Sequence, residues 1–591
     1  MKTLLRYLFP LRATPRNSSL NSRLTAAATE NHSGVAVAPK MRSWSAGDLA
    51  RDWFDRMPRR CLFFVGVSLF GVTSLLAAAP GTVEKWSVFE LELKGPADGN
   101  PFVDVHVGAT FTNGKATVAV PGFYDGDGIY RVRFMPDATG EWHYETTSNR
   151  WALTGKTGGF TVTPATKGNH GPVRVHNTFH FAYADGTPFK LIGTTIYNWL
   201  DTPEAWQELT LKTLASSPFN KARMLLLPQQ NSFRKEFAPP RWPYAGKPPQ
   251  DWDFTRFNPD YFQHYEKRIA QLRDLGIEAD VILFNPYGKP WGFDSLDAAA
   301  DERYLRYVVA RFSAYRNVWW SIANEFDFLR TKTMADWDRY FQIVQSADPY
   351  DHLRSIHNGA LIYDQNKPWV THVSIQNGAA VEEPGRAEMY RDVYRKPVVY
   401  DEVKYEGDST FRWGNLSAQE MVHRFWCGTV AGTYVGHGDY FHAENADTWT
   451  SFGGELSGQS EPRLAFLKKI LDESPPEGLD PIDKWQDVET AGQPGSYYLT
   501  YFGKATPATW TFQLYKNGVA DGQKYSVEII DTWAMTITPV AGEFVAKKLD
   551  SYHFVDVNNR SVTLPGKPGI ALRVRRLGAD GQPVKTELPT D

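Results

Sequence analysis

DERYLRYVVARFSAYRN, residues 301–317, runs directly into VWWSIANEFD, residues 318–327, and this pair decides the fold of the middle of the chain. In the first stretch apolar residues return every three or four positions, which puts them on one face of a helix. The second is a short unbroken apolar run, as in a strand buried on both faces, and it stops on Asn324 and Glu325. The same two patterns recur on either side. Candidate strands are FKLIGTTIYNW (189–199), NKARMLLLPQ (220–229), IEADVILFNPY (277–287), HLRSIHNG (352–359), VTHVSIQNG (370–378), KPVVYDEVKYEG (396–407) and TYVGHGDYF (433–441), with a further helix in PDYFQHYEKRIAQLRDLG (259–276). With 317–327 these make eight strands, the number and size expected of a (β/α)8 barrel of ~250 residues plus insertions. A doubly wound open sheet is the main rival, but no GxGxxG follows the first strand.

Outside this region the period changes. From 82 to about 165 short runs alternate apolar and polar residues (VEKWSVFELEL, FVDVHVGATF, YRVRFMP, GEWHYETTS), separated by turn formers such as DGDG at 125–128. Alternation returns from about 480 in SYYLTYFG, TWTFQLYKNG, KYSVEIIDTW and IALRVRRL. Both ends read as antiparallel β-sandwiches, so the expected order is a sandwich at 80–166, the barrel at 167–478 and a second sandwich at 479–591. No repeat of 20–50 residues suggests a solenoid or propeller.

Residues 1–79 stand apart. Arg12 to Lys40 is polar and aperiodic, and MPRRCLFFVGVSLFGVTSLLAAAP from Met57 has the basic, apolar and small-residue parts of a secretory leader. Translation from Met57 or Met41 would place that leader at an N-terminus, and a secreted or periplasmic enzyme is expected. An uncleaved anchor is the alternative, although the apolar run is shorter than the ~20 residues a spanning helix needs. Of the two cysteines, Cys61 lies in the leader and Cys427 in an apolar helical stretch, so no internal disulfide is expected in the mature chain.

Lys+Arg 64 against Asp+Glu 67 leaves a charge of -3, without the field that draws a protein to nucleic acid or anionic lipid. A carbohydrate fits better. Aromatic residues are 14% of the chain, including Trp 20 and Tyr 28, and serve equally as core or as platforms for sugar rings.

Barrel active sites form at the carboxyl ends of the strands, so the acids ending the fourth and seventh strands, Glu325 and Glu402, stand out. A pair of carboxyls is what glycoside hydrolysis requires, one to protonate the leaving oxygen and one to attack or to activate water. Asp401 and Glu406 compete with Glu402 on the seventh strand. An apolar strand ending in Asn-Glu, with a second Glu ending the seventh, resembles clan A of the retaining glycoside hydrolases. FYDGDGIYRVRFMPDATGEWHYET, GNHGPVRV, HFAYADGTPFKLIGTTIYNW and KPVVYDEVKYEG resemble, more narrowly, the apiosidase-like glycoside hydrolases, over Val83 to Arg576. The resemblance implies Glu325 as acid/base, Asn324 as the contact to the sugar 2-hydroxyl, Glu402 as nucleophile and Arg223 as the arginine that keeps it ionised. It also implies a covalent glycosyl-enzyme and no cofactor.

Two departures are visible. The seventh strand has Asp401-Glu402-Val403-Lys404 where the clan more often has Gly-Glu-Pro, and Asp439 stands where Glu is expected. Tyr197, Asn198, Trp199, Asn285, His357, Gln376, Tyr405, Glu406, His437 and Trp449 lie at or beyond strand ends and are sugar-contact candidates. Rival readings are a non-catalytic carbohydrate-binding barrel, metal ligation by His437, His442 and Glu444, and Schiff-base chemistry at Lys404 or Lys221.

Overall fold

Eight short strands give the central part of the molecule its form: β1 (Gly193–Thr195), β2 (Lys221–Leu225), β3 (Glu278–Phe284), β4 (Val318–Ala323), β5 (Arg354–Ser355), β6 (Val373–Gln376), β7 (Val398–Glu402) and β8 (Tyr434–His437). Every neighbouring pair is parallel, in the order 5-4-3-2-1-8-7-6. A parallel bridge from His357 to Ser374 joins β5 to β6 and closes the ring. The computed structural model describes residues 81–229, 239–378, 380–441, 448–482 and 488–584, all within one unit, Ala77–Asp591. The expected leader with Cys61 lies outside the described residues, as do His442 and Glu444.

Among the described residues seven helices of more than ten residues wrap the ring: α1 (Glu204–Ser216), α2 (Pro259–Asp274), α3 (Ala298–Phe312), α4 (Met334–Ala347), α5 (Pro384–Tyr394), α6 (Ala418–Val430) and α7 (Glu461–Asp472). Their starts are written locally. Asp297 accepts from the amides of Ala299 and Ala300, Thr333 and Asp336 make a reciprocal capping box, and Ser417 accepts from Glu420. No helix among the described residues is long and apolar enough to cross a membrane.

The repeated strand-helix expectation needs one correction, because residues 356–372 join β5 to β6 without a helix. Gly359, Asp364, Asn366 and Pro368 punctuate that segment and leave no helical period. Tyr363 fills the space instead, stacked 5.6 Å from Phe341 of α4 and edge-on 5.8 Å from Phe326. The eighth expected strand is also broken. At Gly438, between β8 and the two-residue strand Asp439–Tyr440, an added Cβ would lie 2.0 Å from the Tyr405 ring, so the chain there must be glycine.

The amino-terminal module is a seven-stranded sheet with Gly81–Glu84 and Thr157–Thr163 at one end of the order and Phe89–Lys94 at the other. The sheet curls over, since Phe89 from one end stacks on Phe160 from the other with centroids 3.7 Å apart. Its pairs are antiparallel except Gly81–Glu84 with Thr157–Thr163, which is parallel and departs from the wholly antiparallel expectation. The carboxyl-terminal module is built on a nine-stranded sheet with its own core, including Phe512, Tyr525, Phe544 and Leu572. Tyr501 ties it to the barrel through a 3.0 Å contact with His423 of α6. Cys427 is buried on the same helix, and burial pushes its thiol up to about 12, as for a packing residue.

Candidate active site

Polar side chains occupy much of the barrel interior, where branched apolar layers are usual. Lys221 of β2 sits between Asp280 of β3 at 2.6 Å and Asp401 of β7 at 2.7 Å. Above it the strand ends carry Arg223, Asn324, Glu325, His357, Gln376 and Glu402. A bulge brings in the last of these. Ser374 is level with Val399 and Gln376 with Glu402, so two steps on β6 face three on β7. The extra residue breaks the alternation of side chains, and both Asp401 and Glu402 turn toward the axis.

Glu402 is 4% exposed and heavily supported. Its Oε1 accepts from the Tyr197 hydroxyl and from Arg223 Nη1 at 3.3 Å, with His357 Nε2 at 3.4 Å, while Oε2 accepts from Trp413 Nε1 at 3.3 Å. Burial alone would raise its pKa. The His357 contact, the Arg223 charge and the Tyr197 hydroxyl outweigh burial and hold the carboxyl down at about 2.

Glu325 sits in the opposite environment. It follows β4 in a left-handed backbone conformation (φ 45, ψ 51), which costs a non-glycine residue on the order of 1 kcal/mol or more and aims the carboxyl into the cleft. Oε2 accepts from the Tyr287 hydroxyl and Asn324 Nδ2 (3.4 Å), and Oε1 faces the Gln376 amide at 3.1 Å. No cation among the described residues pairs with it. Burial, then the charge of Glu402, push its pKa up to about 8. Two hydrogen-bonded paths join the carboxyls, one through Tyr197 and Asn324 and the other through His357 and Gln376. Arg223 Nη2 donates to Asn324 Oδ1 at 2.8 Å and fixes the first path from below.

A cleft of about 690 Å3 opens over these groups, with Tyr197, Asn324, Glu325, Gln376, Glu402 and Tyr405 in its floor and walls. Such a pair of oppositely tuned carboxyls can donate a proton on one side of a bond while the other stays ionised.

The comparisons point to a glycoside hydrolase. Residues 175–450 match the family model described as "Apiosidase-like, catalytic domain". Residues 82–149 and 485–575 match two domains of unknown function, DUF5060 and DUF5605. A crystal structure of a candidate glycoside hydrolase from Bacteroides vulgatus ATCC 8482 shares 42% identity and superposes with a TM-score of 0.81, covering 84% of this chain and 100% of that one. The chain belongs to the glycoside hydrolases. A family 5 glycoside hydrolase from the same organism, 14% identical with a TM-score of 0.53 over 71% of this chain and 96% of its own, shares the fold. No curated protein matches the chain.

Several of the expected sugar contacts have other partners in this glycoside hydrolase and do not line the cleft. Asn198 donates to Gln229 O at 3.0 Å, and Trp199 is fully buried with its indole on Gln207 O at 3.2 Å. Asn285 bonds Leu227 O and the Tyr287 amide, both at 2.9 Å, and so presents Tyr287. Glu406 accepts from the amides of Gln459 (2.7 Å) and Ser460 (3.1 Å), anchoring the start of α7. His437 stacks on Phe219 at 4.9 Å, and Trp449 donates to Thr194 at 2.8 Å. Position at a strand end selects the rim, but which way each side chain turns depends on the loop that follows. Asp439 likewise accepts from the amides of Ser457 and Gly458 as a loop anchor.

His357 lies under the floor. The hydrolase takes Tyr287, Trp413, Asn358, Phe328, Phe411, Arg412 and Tyr440 into its cleft, none of them anticipated. Tyr287 ends the third expected strand and was within reach of the strand-end rule. Trp413 had no local signal, because it arrives on a loop folded back so that Tyr405 N donates to Trp413 O at 2.8 Å. Lys221, raised in pKa by Asp280 and Asp401 against burial, is the reverse of a Schiff-base amine, which needs a lowered one. Lys404 does not line the cleft.

Proposed function

We propose that this hydrolase cleaves a poly- or oligosaccharide with net retention, through a covalent glycosyl-enzyme on Glu402, with Glu325 as acid and then base. The observation that carries the reading is the contrast between the two carboxyls of one cleft. Glu402 is kept ionised by Arg223, His357 and Tyr197, as attack on the anomeric carbon requires. Glu325, buried and with no cation partner among the described residues, keeps its proton near neutrality and delivers it to the leaving oxygen. Once the leaving group departs, Glu325 is ionised and takes a proton from the water that hydrolyses the ester on Glu402. Asn324 is positioned by Arg223 to meet the sugar beside the bond.

A saccharide longer than one residue suits a cleft whose rim exposes Phe328 (36%) and Phe411 (52%), since apolar sugar faces stack on such rings. Export belongs to the same reading and rests on the leader pattern at 57–79. The decisive experiment follows the anomeric configuration of the first-formed product by NMR and traps the enzyme with a fluorinated glycoside. Retention with label on Glu402 supports the mechanism, whereas an inverted product or label on Glu406 would sink it. Intact mass of the secreted protein tests export, and a mature chain still carrying Arg59 would refute cleavage.

A further inference from the structure

Three of the described residues that line the cleft carry a carboxyl or a cation, Glu325, Glu402 and Arg412, and proton donation and attack use the first two. Arg223 already meets the charge of Glu402 from below, at 3.3 Å. The guanidinium of Arg412 is left over. Acids on the same rim are committed elsewhere: Asp401 to Lys221 at 2.7 Å, Glu406 to amides at the start of α7, and Asp439 and Asp327 to amides of the neighbouring loops. Asp408, exposed on the loop that carries Arg412, does not line the cleft. Among the described residues no carboxylate pairs with Arg412.

The loop after β7 holds this arginine in place. Tyr405 N donates to Trp413 O at 2.8 Å, Leu416 N to Tyr405 O at 3.0 Å and Ser409 N to Gly414 O at 3.0 Å, which ties the loop across its base. Gly414 N also donates to Phe411 O at 3.0 Å, closing a turn with Arg412 and Trp413 at its corners. Gly414 lies against the Tyr440 ring, where an added Cβ would be 2.3 Å away. Lys404, at the start of the same loop, is a second cation with no carboxylate partner among the described residues. It keeps a left-handed backbone (φ 70), a strained conformation for lysine, and its Cγ meets the Trp413 ring over Gly378, 3.2 and 3.3 Å from where a Cβ would stand.

The two sides of the cleft differ. Phe328, Gly359, Ala360 and Ile362 follow β4 and β5 on the Glu325 side and bring no charge, whereas Arg412 and Trp413 come from the loop whose indole donates to Glu402. In a retaining reaction the sugar that becomes esterified stays with the nucleophile, and the leaving group departs past the acid. We propose that Arg412 is a specificity residue that binds an anionic group, a carboxylate or a sulfate ester, on the glycone side of the substrate, so that the enzyme cleaves acidic saccharides in preference to neutral ones. This rests on the reading of Glu402 as nucleophile and Glu325 as acid/base. An arginine fork takes two oxygens of such a group at once, and a loop already tied in place loses little freedom on binding. Without that cation an anionic sugar would meet only the negative charge of Glu402 above the floor.

The test uses the whole protein and paired probes: uronate-bearing oligosaccharides against their carboxyl-reduced forms, and sulfated oligosaccharides against their desulfated forms. One charged class should be preferred over its neutral counterpart by about 10- to 100-fold in kcat/KM, and which class it is tells carboxylate from sulfate. Arg412→Gln should abolish that preference, chiefly through KM, and Arg412→Lys should keep part of it. Lys404→Gln, which removes the charge behind Trp413, should reduce it by about 2- to 5-fold. Added salt should weaken the charged substrate more than the neutral one. Hydrolysis in oxygen-18 water labels the new reducing end, which belongs to the glycone, so the labelled fragment should carry the charged sugar. Turnover of neither charged class, equal turnover of charged and neutral members, an unchanged preference in Arg412→Gln or the charged sugar in the unlabelled fragment each overturns the proposal. Inversion at the anomeric carbon, or a covalent label away from Glu402, overturns the retaining reading instead, and the charge preference is still scored by the same ratio.

Discussion

The seam between the amino-terminal module and the barrel buries Asp125, Arg133, Glu266 and Arg311, and the cleft buries Arg223, Glu325, His357 and Glu402. At the seam every carboxylate has an arginine. Glu266 takes Arg133 and Arg311 at 2.6 Å each, and Asp125 takes Arg131 at 2.6 Å and Arg311 at 2.8 Å. In the cleft Glu402 is matched by Arg223, and Glu325, equally out of water, has hydroxyl and amide partners but no cation among the described residues. Matched burial fastens two modules together. An unmatched buried acid is costly to ionise, and that cost is what makes it a proton donor near neutrality.

The largest effect expected from breaking the contrast is at its matched member. Glu402→Ala should lower kcat by on the order of 10^4-fold or more with the circular dichroism spectrum unchanged, because no neighbouring group can form the ester. Near-normal turnover in that variant would show that the nucleophile is elsewhere. Glu325→Ala should lose about 10^2- to 10^4-fold on poor leaving groups and far less on dinitrophenyl glycosides, with azide restoring turnover of the intermediate. Equal losses on both leaving groups would remove Glu325 from proton donation.

Arginine substitutions sharpen the same comparison. Arg311→Met at the seam should lower stability by about 3–5 kcal/mol, since it strands buried carboxylates, and leave the pH profile of kcat/KM in place. Arg223→Met should move the acidic limb to higher pH, because Glu402 loses a charge that favours its ionised form. A profile that shifts in both variants, or in neither, would dissolve the distinction.

Stability gives a subtler readout. The folded-state pKa of Glu325 lies above its ordinary value, so its protonated form contributes stability that is fully present below about 4.5 and lost as pH rises through about 8. Glu325→Gln should therefore gain in Tm relative to the parent above neutrality and not at pH 4, each pKa unit being worth about 1.4 kcal/mol. A gain independent of pH would point to packing. The smallest effect expected is at Trp413→Phe, where loss of one hydrogen bond to an ionised oxygen should cost about 10-fold in kcat/KM.

The sequence by itself determined the order of the modules, the eight barrel strands and the two strand-end glutamates. Each is written locally: an unbroken apolar run for a strand buried on both faces, a 3.6-residue period for a helix, and Asp297, Thr333 or Ser417 where a helix begins. Strand lengths were less legible, because β1 and β5 carry only three and two paired residues and the rest of each expected strand is loop. The missing helix between β5 and β6 was readable in Gly359, Asp364 and Pro368, and the eightfold rhythm hid it.

Only the tertiary structure decided which polar residues meet. Glu402 turns toward the barrel axis as Asp401 does because a bulge against β6 adds a residue, and a bulge depends on the partner strand. Trp413 reaches the nucleophile, and Glu406 is drawn away to the start of α7, through contacts between segments far apart in the chain. Opposite pKa shifts on two glutamates have the same origin. Side-chain chemistry is identical at Glu325 and Glu402, and the difference lies in whether the guanidinium of Arg223 on β2 and the imidazole of His357 just beyond β5 arrive beside the carboxylate, which no local pattern encodes.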